Sequence, residues 1–299
     1  MKWTIQSLPD QTGRTAIVTG ANAGIGFETA RALARKGATV ILGCRNEDRG
    51  RAAVDRIMQA VPAGAGSAEL EQLDLSQLDS VRGFADRIAE RLDRIDLLIN
   101  NAGVMVPPFG RTTDGFELQI GVNYLGHFAL TGRLMPLLAQ TAGSRVVTLS
   151  SLAHRTGRID FETFTGDKPY RAWREYQQSK LACLMFALEL QRRLAHNGAE
   201  VISVAAHPGW TKTDLQRHSS LFDLLSPVFA MSAEQGALPT LYAAAAPAVR
   251  GGDYFGPGGW AEVRGYPGPA KIAARARDEA VSRRLWDVAE ESTAVRQWA

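Results

Sequence analysis

The stretch T-G-A-N-A-G-I-G, Thr19 to Gly26, follows a short apolar run and opens a helical pattern. Glycines at a strand-to-helix junction allow a tight turn and let the backbone come close to a pyrophosphate. Unbonded N–H groups and the helix dipole favour an anion there. The alternative is a purely structural turn. The stretch predicts a dinucleotide site, with contacts from Gly20, Asn22, Gly24, Ile25 and Gly26.

Short β-like runs alternate with longer helical patterns outward from this turn. The predicted strands are Thr15–Thr19, Thr39–Leu42, Glu69–Leu73, Ile95–Ile99, Arg145–Leu149 and Val201–Ala205. The predicted helices are Ile25–Lys36, Glu47–Gln59, Leu78–Leu92, a long segment from Phe116 to Gln140, Trp173–His196 and Glu279–Glu290. Such alternation is typical of βαβ units with right-handed crossovers.

The alternation predicts an α/β fold: a single-domain, Rossmann-type, doubly wound parallel sheet with helices on both faces. No internal repeat or linker divides the chain, so the domain is expected to span residues 1–299. The stretch Gly251–Gly268, which is rich in glycine and proline, is interpreted as a loop rather than a domain boundary.

Composition excludes several classes of protein. Apolar residues make up 45% and charged residues 22% of 299 residues, and the formal net charge is +3, with Lys and Arg spread along the chain. These values indicate an ordinary globular protein that does not bind nucleic acid. They are compatible with a local basic pocket for a phosphate.

Cys44 and Cys183 are interpreted as buried free thiols, and the five histidines show no metal-ligand spacing, so no metal site is predicted. The N-terminus has no apolar core of a signal peptide and no stretch reaches transmembrane length, which leads us to expect a cytoplasmic protein.

The end of the second predicted strand bears on the choice of cofactor. A site specific for NAD usually offers an acidic residue there to the ribose hydroxyls. This chain reads I-L-G-C-R-N, with Cys44 in the place of the acid and Arg45 after it. A guanidinium without a neighbouring carboxylate favours a 2′-phosphate, so NADP(H) is predicted over NAD(H). The alternative is that Arg45 is a solvated surface arginine.

Six motifs in order resemble the short-chain dehydrogenase/reductase family over nearly the whole chain. They are T-G-x-x-x-G-x-G, N-N-A-G at Asn100–Gly103, G-V-N-Y with Asn123, L-S-S with Ser150 and Ser151, Y-Q-Q-S-K at Tyr176–Lys180, and P-G-W-T-K-T at Pro208–Thr213. The stretches L-G-H-F, S-S-L-A-H-R-T-G-R-I, S-K-L-A and H-P-G are similar to its retinol-dehydrogenase-like branch. Many relatives in that branch carry an N-terminal membrane segment, which this sequence does not show.

The resemblance implies roles for four catalytic residues. Tyr176 would exchange a proton with the substrate oxygen, and Lys180, one helical turn on, would favour its phenolate and hold the nicotinamide ribose. Ser151, with Ser150 as the competing candidate, would hydrogen-bond the substrate oxygen. Asn123 would hold a water beside the lysine, the alternative being a purely structural role.

The resemblance also implies cofactor contacts. Asp74 and Leu75 would meet the adenine; the alternative for this stretch, a helix N-cap, is assigned to Ser76. The remaining predicted contacts are Asn101, Ala102 and Gly103 at the adenine ribose, and Pro208, Gly209 and Thr211 on the nicotinamide amide side.

The substrate pocket is expected from elements at about 152–175 and 210–270. The 25 positions from Ser151 to Tyr176 form a longer loop than in the commonest family pattern. The apolar segment Leu221–Met231 is interpreted as a lid over the pocket, together with Trp173 and Trp210. The alternatives for this segment are an ordinary buried helix and a membrane-surface contact. His154 is interpreted as a loop or pocket residue rather than a proton carrier.

The resulting prediction is an NADP(H)-dependent oxidoreductase that interconverts an apolar ketone or aldehyde and its alcohol. The alternatives are an NAD-preferring dehydrogenase, an epimerase or dehydratase of the extended branch, and a non-catalytic dinucleotide-sensing module. Helices of this family often pair into dimers or tetramers, so the resemblance leaves a homo-oligomer open.

Overall fold

A computed structural model of the chain describes residues 2–211, 231–296 and 298. Eight strands form one sheet, and the first six match the predicted apolar runs in place and order. They are β1 (Thr15–Thr19), β2 (Thr39–Cys44), β3 (Ser67–Gln72), β4 (Leu97–Asn100), β5 (Arg145–Leu149), β6 (Ile202–Ala206), β7 (Tyr254–Pro257) and β8 (Pro267–Pro269). Their order across the sheet is β3-β2-β1-β4-β5-β6-β7-β8, and all neighbours are parallel except β7 and β8. The chain reverses direction across the sheet between β1 and β4, where open α/β sheets bind their ligands.

Helices cover both faces of the sheet. In chain order they are α1 (Gly24–Arg35), α2 (Glu47–Ala60), α3 (Leu78–Arg91), α4 (Leu118–Ile120), α5 (Gly126–Ala139), α6 (Ala172–His196), α7 (Ala233–Ala245) and α8 (Glu279–Thr293). One core layer includes Phe84 of α3, Phe128 of α5 and Trp286 of α8, and the other includes Leu33 of α1 and Leu241 of α7. The doubly wound α/β prediction is therefore confirmed.

Two predicted segments differ from the structure. The long segment from Phe116 is interrupted between α4 and α5 by a π-helical turn, Gly121–Leu125, which contains Asn123. The stretch Gly251–Gly268 was predicted wrongly as a loop, since it contains β7 and the start of β8. A Cβ atom at Gly256 would lie 2.0 Å from Nε2 of His207, so this glycine reflects a close approach between β7 and the end of β6 rather than a turn.

None of the helices in the described part of the chain combines the length and the hydropathy that crossing a bilayer requires.

Candidate active site

The carboxyl ends of six parallel strands, β1 to β6, surround one cavity of about 740 Å³. Every predicted site residue except Asn123 lines it. These residues are Gly20, Asn22, Gly24, Ile25, Gly26, Arg45, Asp74, Leu75, Asn101, Ala102, Gly103, Ser151, Tyr176, Lys180, Pro208, Gly209 and Thr211. Residues far apart in the sequence thus meet at the switch point of the sheet, as the topology requires.

The glycine turn gives the cavity a wall made of backbone. Gly20 adopts a left-handed φ of 65°, and a Cβ atom at Gly26 would lie 2.6 Å from the carbonyl oxygen of Gly20. The N-cap residue of α1, Ala23, makes no side-chain cap bond to the first helical N–H groups. A helix start that is not capped by a side chain and faces a cavity suits a phosphate, so this wall fits a dinucleotide.

The N-N-A-G segment is bound to the end of β1. The Oγ1 atom of Thr19 accepts hydrogen bonds from the backbone N–H groups of Asn101 and Ala102, both at 2.9 Å. The side-chain amide of Asn101 donates to the Thr19 carbonyl at 2.7 Å. The Asn101 side chain is therefore used to join two strand ends, and its backbone borders the cavity.

Cationic side chains line the cavity beyond β2. Arg45 is exposed directly after the strand, and Arg49, in the first turns of α2, lines the same part of the cavity. The Asn46 side chain caps α2 by accepting the Arg49 N–H at 2.9 Å. Arg49 and Asn46 were not predicted as site residues, although R-N-E-D-R places them within one turn of Arg45.

The stretch after β3 differs in detail from the expectation. The carboxylate of Asp74 accepts hydrogen bonds from the backbone N–H and the hydroxyl of Ser76, at 2.9 and 2.6 Å. The N-cap assignment to Ser76 is wrong: Gln77 holds the N-cap position of α3, and the N–H of Leu78 is bound instead by the Asp114 carboxylate at 3.0 Å. A capping group 36 positions away could not be read from local sequence.

At the other end of the cavity, α6 presents Tyr176 and Lys180 on one face. Their exposed fractions are 8% and 7%. The ammonium group of Lys180 donates to the carbonyl oxygen of Leu149 at 3.3 Å, at the end of β5. The Tyr176 ring packs against Trp173, with centroids 5.6 Å apart. The remainder of α6 is buried in the core, including Leu184 and Leu190, so the helix serves both the site and the core.

Hydrogen bonds distinguish the two serines after β5. The hydroxyl of Ser150 donates to the carbonyl oxygen of Lys180 at 2.7 Å, which holds β5 against α6. The Oγ atom of Ser151 accepts the N–H of Ala153 at 3.2 Å, which leaves its O–H group able to donate into the cavity. The geometry favours Ser151 as the group that meets a substrate.

Asn123 lies behind the cavity wall rather than on it. Its side chain accepts the N–H of Val104 at 2.7 Å and donates to the Val104 carbonyl at 3.0 Å and to the Ser179 hydroxyl at 2.9 Å. Its main-chain carbonyl accepts from the thiol of Cys183 at 3.1 Å and from Nδ1 of His127 at 3.0 Å. Asn123 therefore joins the segment after N-N-A-G to α6, and its predicted water-holding role stays a prediction.

His127, in the stretch L-G-H-F, supports the site through buried hydrogen bonds, and the sequence predicted no role for it. Because its Nδ1–H donates to the Asn123 carbonyl, its Nε2 atom accepts the hydroxyl of Thr19 at 2.9 Å. Burial lowers the pKa of His127 from 6.5 to about 4, which keeps the ring neutral as this arrangement requires. Neutral His127 connects the end of β1 to the π-helical turn.

Both cysteines are free and buried, as predicted. Burial raises the pKa of Cys44 to about 11 and also raises the pKa of Cys183. Such thiols remain protonated and pack as small apolar groups.

The predicted pocket elements contribute less to the cavity than expected. Within 152–175, the cavity is lined by Leu152, Ala153, Thr156 and Trp173. Much of the remaining loop packs elsewhere: Phe164 is buried in the core, and the Tyr170 hydroxyl donates to the carbonyl of Pro107 at 2.8 Å.

Within 210–270, the described residues that line the cavity are Trp210 and Thr211. The predicted lid Leu221–Met231 lies outside the described residues apart from Met231, which is buried and donates its N–H to the carbonyl of Trp210 at 2.9 Å.

His154 is fully buried outside the cavity lining. Its Nδ1 atom donates to the carbonyl of Ser151 at 2.6 Å, and burial lowers its pKa to about 4. Among the residues that the structure describes, no group of three or more His, Cys, Asp or Glu side chains is arranged to hold a metal ion.

The chain matches known proteins along most of its length. A family model described as short chain dehydrogenase matches residues 14–222. Retinol dehydrogenase 11 of Mus musculus is 44% identical over 283 residues, which cover 92% of this chain and 85% of that protein. Polyprenol dehydrogenase of Mus musculus is 43% identical over 290 residues, covering 93% of this chain and 83% of that protein. The crystal structure of an uncharacterized protein from Mycobacterium paratuberculosis is 42% identical, with a TM-score of 0.83 and 99% of both chains covered.

Proposed function

The chain belongs to the short-chain dehydrogenase family, in its retinol-dehydrogenase-like branch, and we propose that it interconverts an apolar ketone or aldehyde and its alcohol with NADP(H). As a member of that family it is an oxidoreductase that uses NAD(P)(H). The observation that carries the proposal is the meeting of Ser151, Tyr176 and Lys180 at one end of a cavity whose other end is a glycine turn.

The proposed chemistry assigns one task to each side chain. When bound, the nicotinamide supplies or accepts the hydride. In the reducing direction Tyr176 gives its phenolic proton to the substrate oxygen, and the O–H of Ser151 donates a hydrogen bond to that oxygen as charge develops on it. The ammonium of Lys180 favours the phenolate that remains. Asn123 and His127 have positioning roles. Asn123 binds the segment that follows N-N-A-G, and His127 binds the end of β1.

The proposed preference for NADP(H) rests on charge. Arg45 follows β2 at the cavity, Arg49 joins it there, and the last residue of β2 is the neutral Cys44. Two guanidinium groups attract the 2′-phosphate of NADP(H). The strand end has no carboxylate, which is the group that binds the ribose 2′-hydroxyl in sites specific for NAD(H).

The proposed apolar substrate rests on the apolar side chains that line the same cavity as Tyr176. They are Val104, Met105, Leu118, Val122, Leu152 and Trp173. Retinol and polyprenol, which appear in the names of two relatives, are long apolar alcohols. The same names support a dehydrogenase over an epimerase or dehydratase. The cytoplasmic location and the homo-oligomer stay predictions.

A substrate screen tests the proposal. The wild-type chain is incubated with NADPH or NADH and with retinal, a polyprenal, a steroid ketone or a short polar ketone, and absorbance of the reduced nicotinamide is followed. Turnover is expected with apolar carbonyls and NADPH. Turnover confined to the polar ketone would contradict the apolar pocket. Dinucleotide binding without turnover of any carbonyl would favour the sensing module.

A further inference from the structure

Glu262 stands in a strained turn beside the site without lining the cavity. It follows β7 in a short 3₁₀ turn, Trp260–Glu262, and both Ala261 and Glu262 have left-handed φ values, 50° and 59°. Non-glycine residues adopt this conformation at a cost and keep it only where the surroundings hold them there. The side chain of Glu262 is directed inward, with an exposed fraction of 18%.

Three donors converge on the Glu262 carboxylate. Nε2 of His207 lies 3.0 Å from Oε2, the guanidinium of Arg155 lies 2.7 Å from the same oxygen, and the N–H of Lys271 donates to Oε1 at 3.1 Å. Because Nδ1 of His207 accepts the N–H of Gly209 at 3.2 Å, its Nε2 carries the proton and donates. The Glu262 carboxylate is therefore fully used inside the protein.

Burial raises the pKa of Glu262, but the hydrogen bonds from His207 and Lys271 and the charge of Arg155 lower it more, so its pKa lies below the ordinary value. Burial lowers the pKa of His207. The pair is thus a carboxylate that accepts a hydrogen bond from a neutral imidazole.

The two side-chain donors belong to two different walls of the cavity. Arg155 ends the short helical turn that begins after Ser151. His207 directly follows β6 and precedes Pro208 and Gly209, which line the cavity. A second bond supports the same join, since the N–H of Trp210 donates to the carbonyl of Val263, next to Glu262, at 2.8 Å.

We propose that Glu262 is a positioning residue that joins the turn after Ser151 to the Pro208–Gly209 turn and so sets where the nicotinamide end of the cofactor lies relative to Ser151 and Tyr176. The inference rests on the proposed function, in which Pro208 and Gly209 face the nicotinamide. It assigns no contact with substrate to Glu262 itself.

The test compares a whole cofactor with a fragment that lacks the nicotinamide. The dissociation constants of NADPH and of 2′,5′-ADP are measured for wild type, Glu262→Ala and Glu262→Gln, with NADH and ADP in parallel so that either cofactor preference can be used. Glu262→Ala is expected to weaken NADPH binding about tenfold, because a carboxylate with three donors is lost, and to leave 2′,5′-ADP binding unchanged. Glu262→Gln keeps an acceptor for His207 and is expected to recover most of the loss.

Glu279→Ala is the matched control, because Glu279 also pairs with two arginines, Arg283 and Arg192, but lies on α8 away from the cavity. It should bind both ligands as wild type does. An unchanged NADPH constant in Glu262→Ala, or an equal loss for NADPH and 2′,5′-ADP, would overturn the positioning role. The proposed function is judged separately, by turnover of wild type: a chain that binds NADPH but reduces no carbonyl contradicts that function and still tests Glu262.

Discussion

The two ends of the cavity are built in different ways. The glycine end, lined by Gly20, Arg45, Arg49 and Asp74, offers backbone N–H groups at the start of α1 and two exposed arginines, one just before α2 and one in its first turn. The tyrosine end, lined by Ser151, Tyr176 and Lys180, offers side chains whose neighbours hold them by hydrogen bonds and ring packing. An exposed charge favours one ligand over another, whereas a group held in place can act on a reacting atom. Changes at the tyrosine end should therefore lower the rate, and changes at the glycine end should alter which dinucleotide binds.

Replacement of Ser151 should have a larger effect than the replacements of Arg45 and His127 described after it. Loss of one donor to a developing oxyanion costs about 100- to 1000-fold in kcat, so Ser151→Ala should lose about that much and keep its dissociation constant for NADPH. The measurement is steady-state kinetics with an apolar carbonyl, together with a binding titration.

Ser150→Ala is the companion variant. It should lower the melting temperature, because it removes the bond to Lys180, and should retain more activity than Ser151→Ala. The reverse order of activities would assign the substrate contact to Ser150.

Replacement of Arg45 tests the glycine end. A hydrogen bond to a charged group contributes about 1.5–3 kcal/mol, so Arg45→Ala should reduce the preference for NADPH over NADH by roughly 10- to 100-fold while kcat stays close to that of wild type. The ratio of kcat/KM values with the two cofactors measures it. The control is Arg51→Ala, which removes an exposed arginine that lies on α2 and pairs with Glu47, and it should keep the preference. A wild-type preference for NADH that Arg45→Ala does not change would sink the NADP(H) assignment.

Lowering the pH should decrease the stability of the folded protein through His127. Its pKa is about 4 in the folded chain and about 6.5 when unfolded, so the unfolded chain takes up the proton first as pH falls. The contribution of neutral His127 to the free energy of unfolding is complete above about pH 6.5 and is lost as the pH falls towards 4. From this group the free energy of unfolding should fall by up to about 1.4 kcal/mol per pH unit.

Urea unfolding at a series of pH values measures this slope. His127→Gln should flatten it, whatever its effect at neutral pH, and His196→Gln, at an exposed position, should keep the wild-type slope. An unchanged slope in His127→Gln would show that the ring does not titrate in this window.

The sequence predicted those parts of the molecule that depend on local pattern. Apart from β3, which alternates polar and apolar residues, the strands β1 to β6 are largely apolar runs that end at glycine or polar residues. The predicted site residues follow the ends of these strands, so the topology alone brings them together. The strand β7 was missed because its Gly256 is required by contact with His207, a cause that the local sequence does not show.

The supporting contacts were missed for a related reason. Glu262 and His207 are 55 positions apart, and the bond between Thr19 and His127 spans 108 positions. A lone glutamate or histidine carries no sign of its distant partner, so the side chains that touch the cavity could be predicted and those that hold them in place could not.

We propose that Tyr176 is the proton donor at the tyrosine end, and the turnover of Tyr176→Phe tests this role. Phenylalanine keeps the ring beside Trp173 and removes only the hydroxyl. A positioned general acid contributes about 100- to 10,000-fold to the rate, so kcat of the variant with an apolar carbonyl should fall by about this factor. Its dissociation constant for NADPH should stay within about twofold of wild type. Turnover of Tyr176→Phe at a rate close to that of wild type, with NADPH still bound, would show that Tyr176 is not the proton donor.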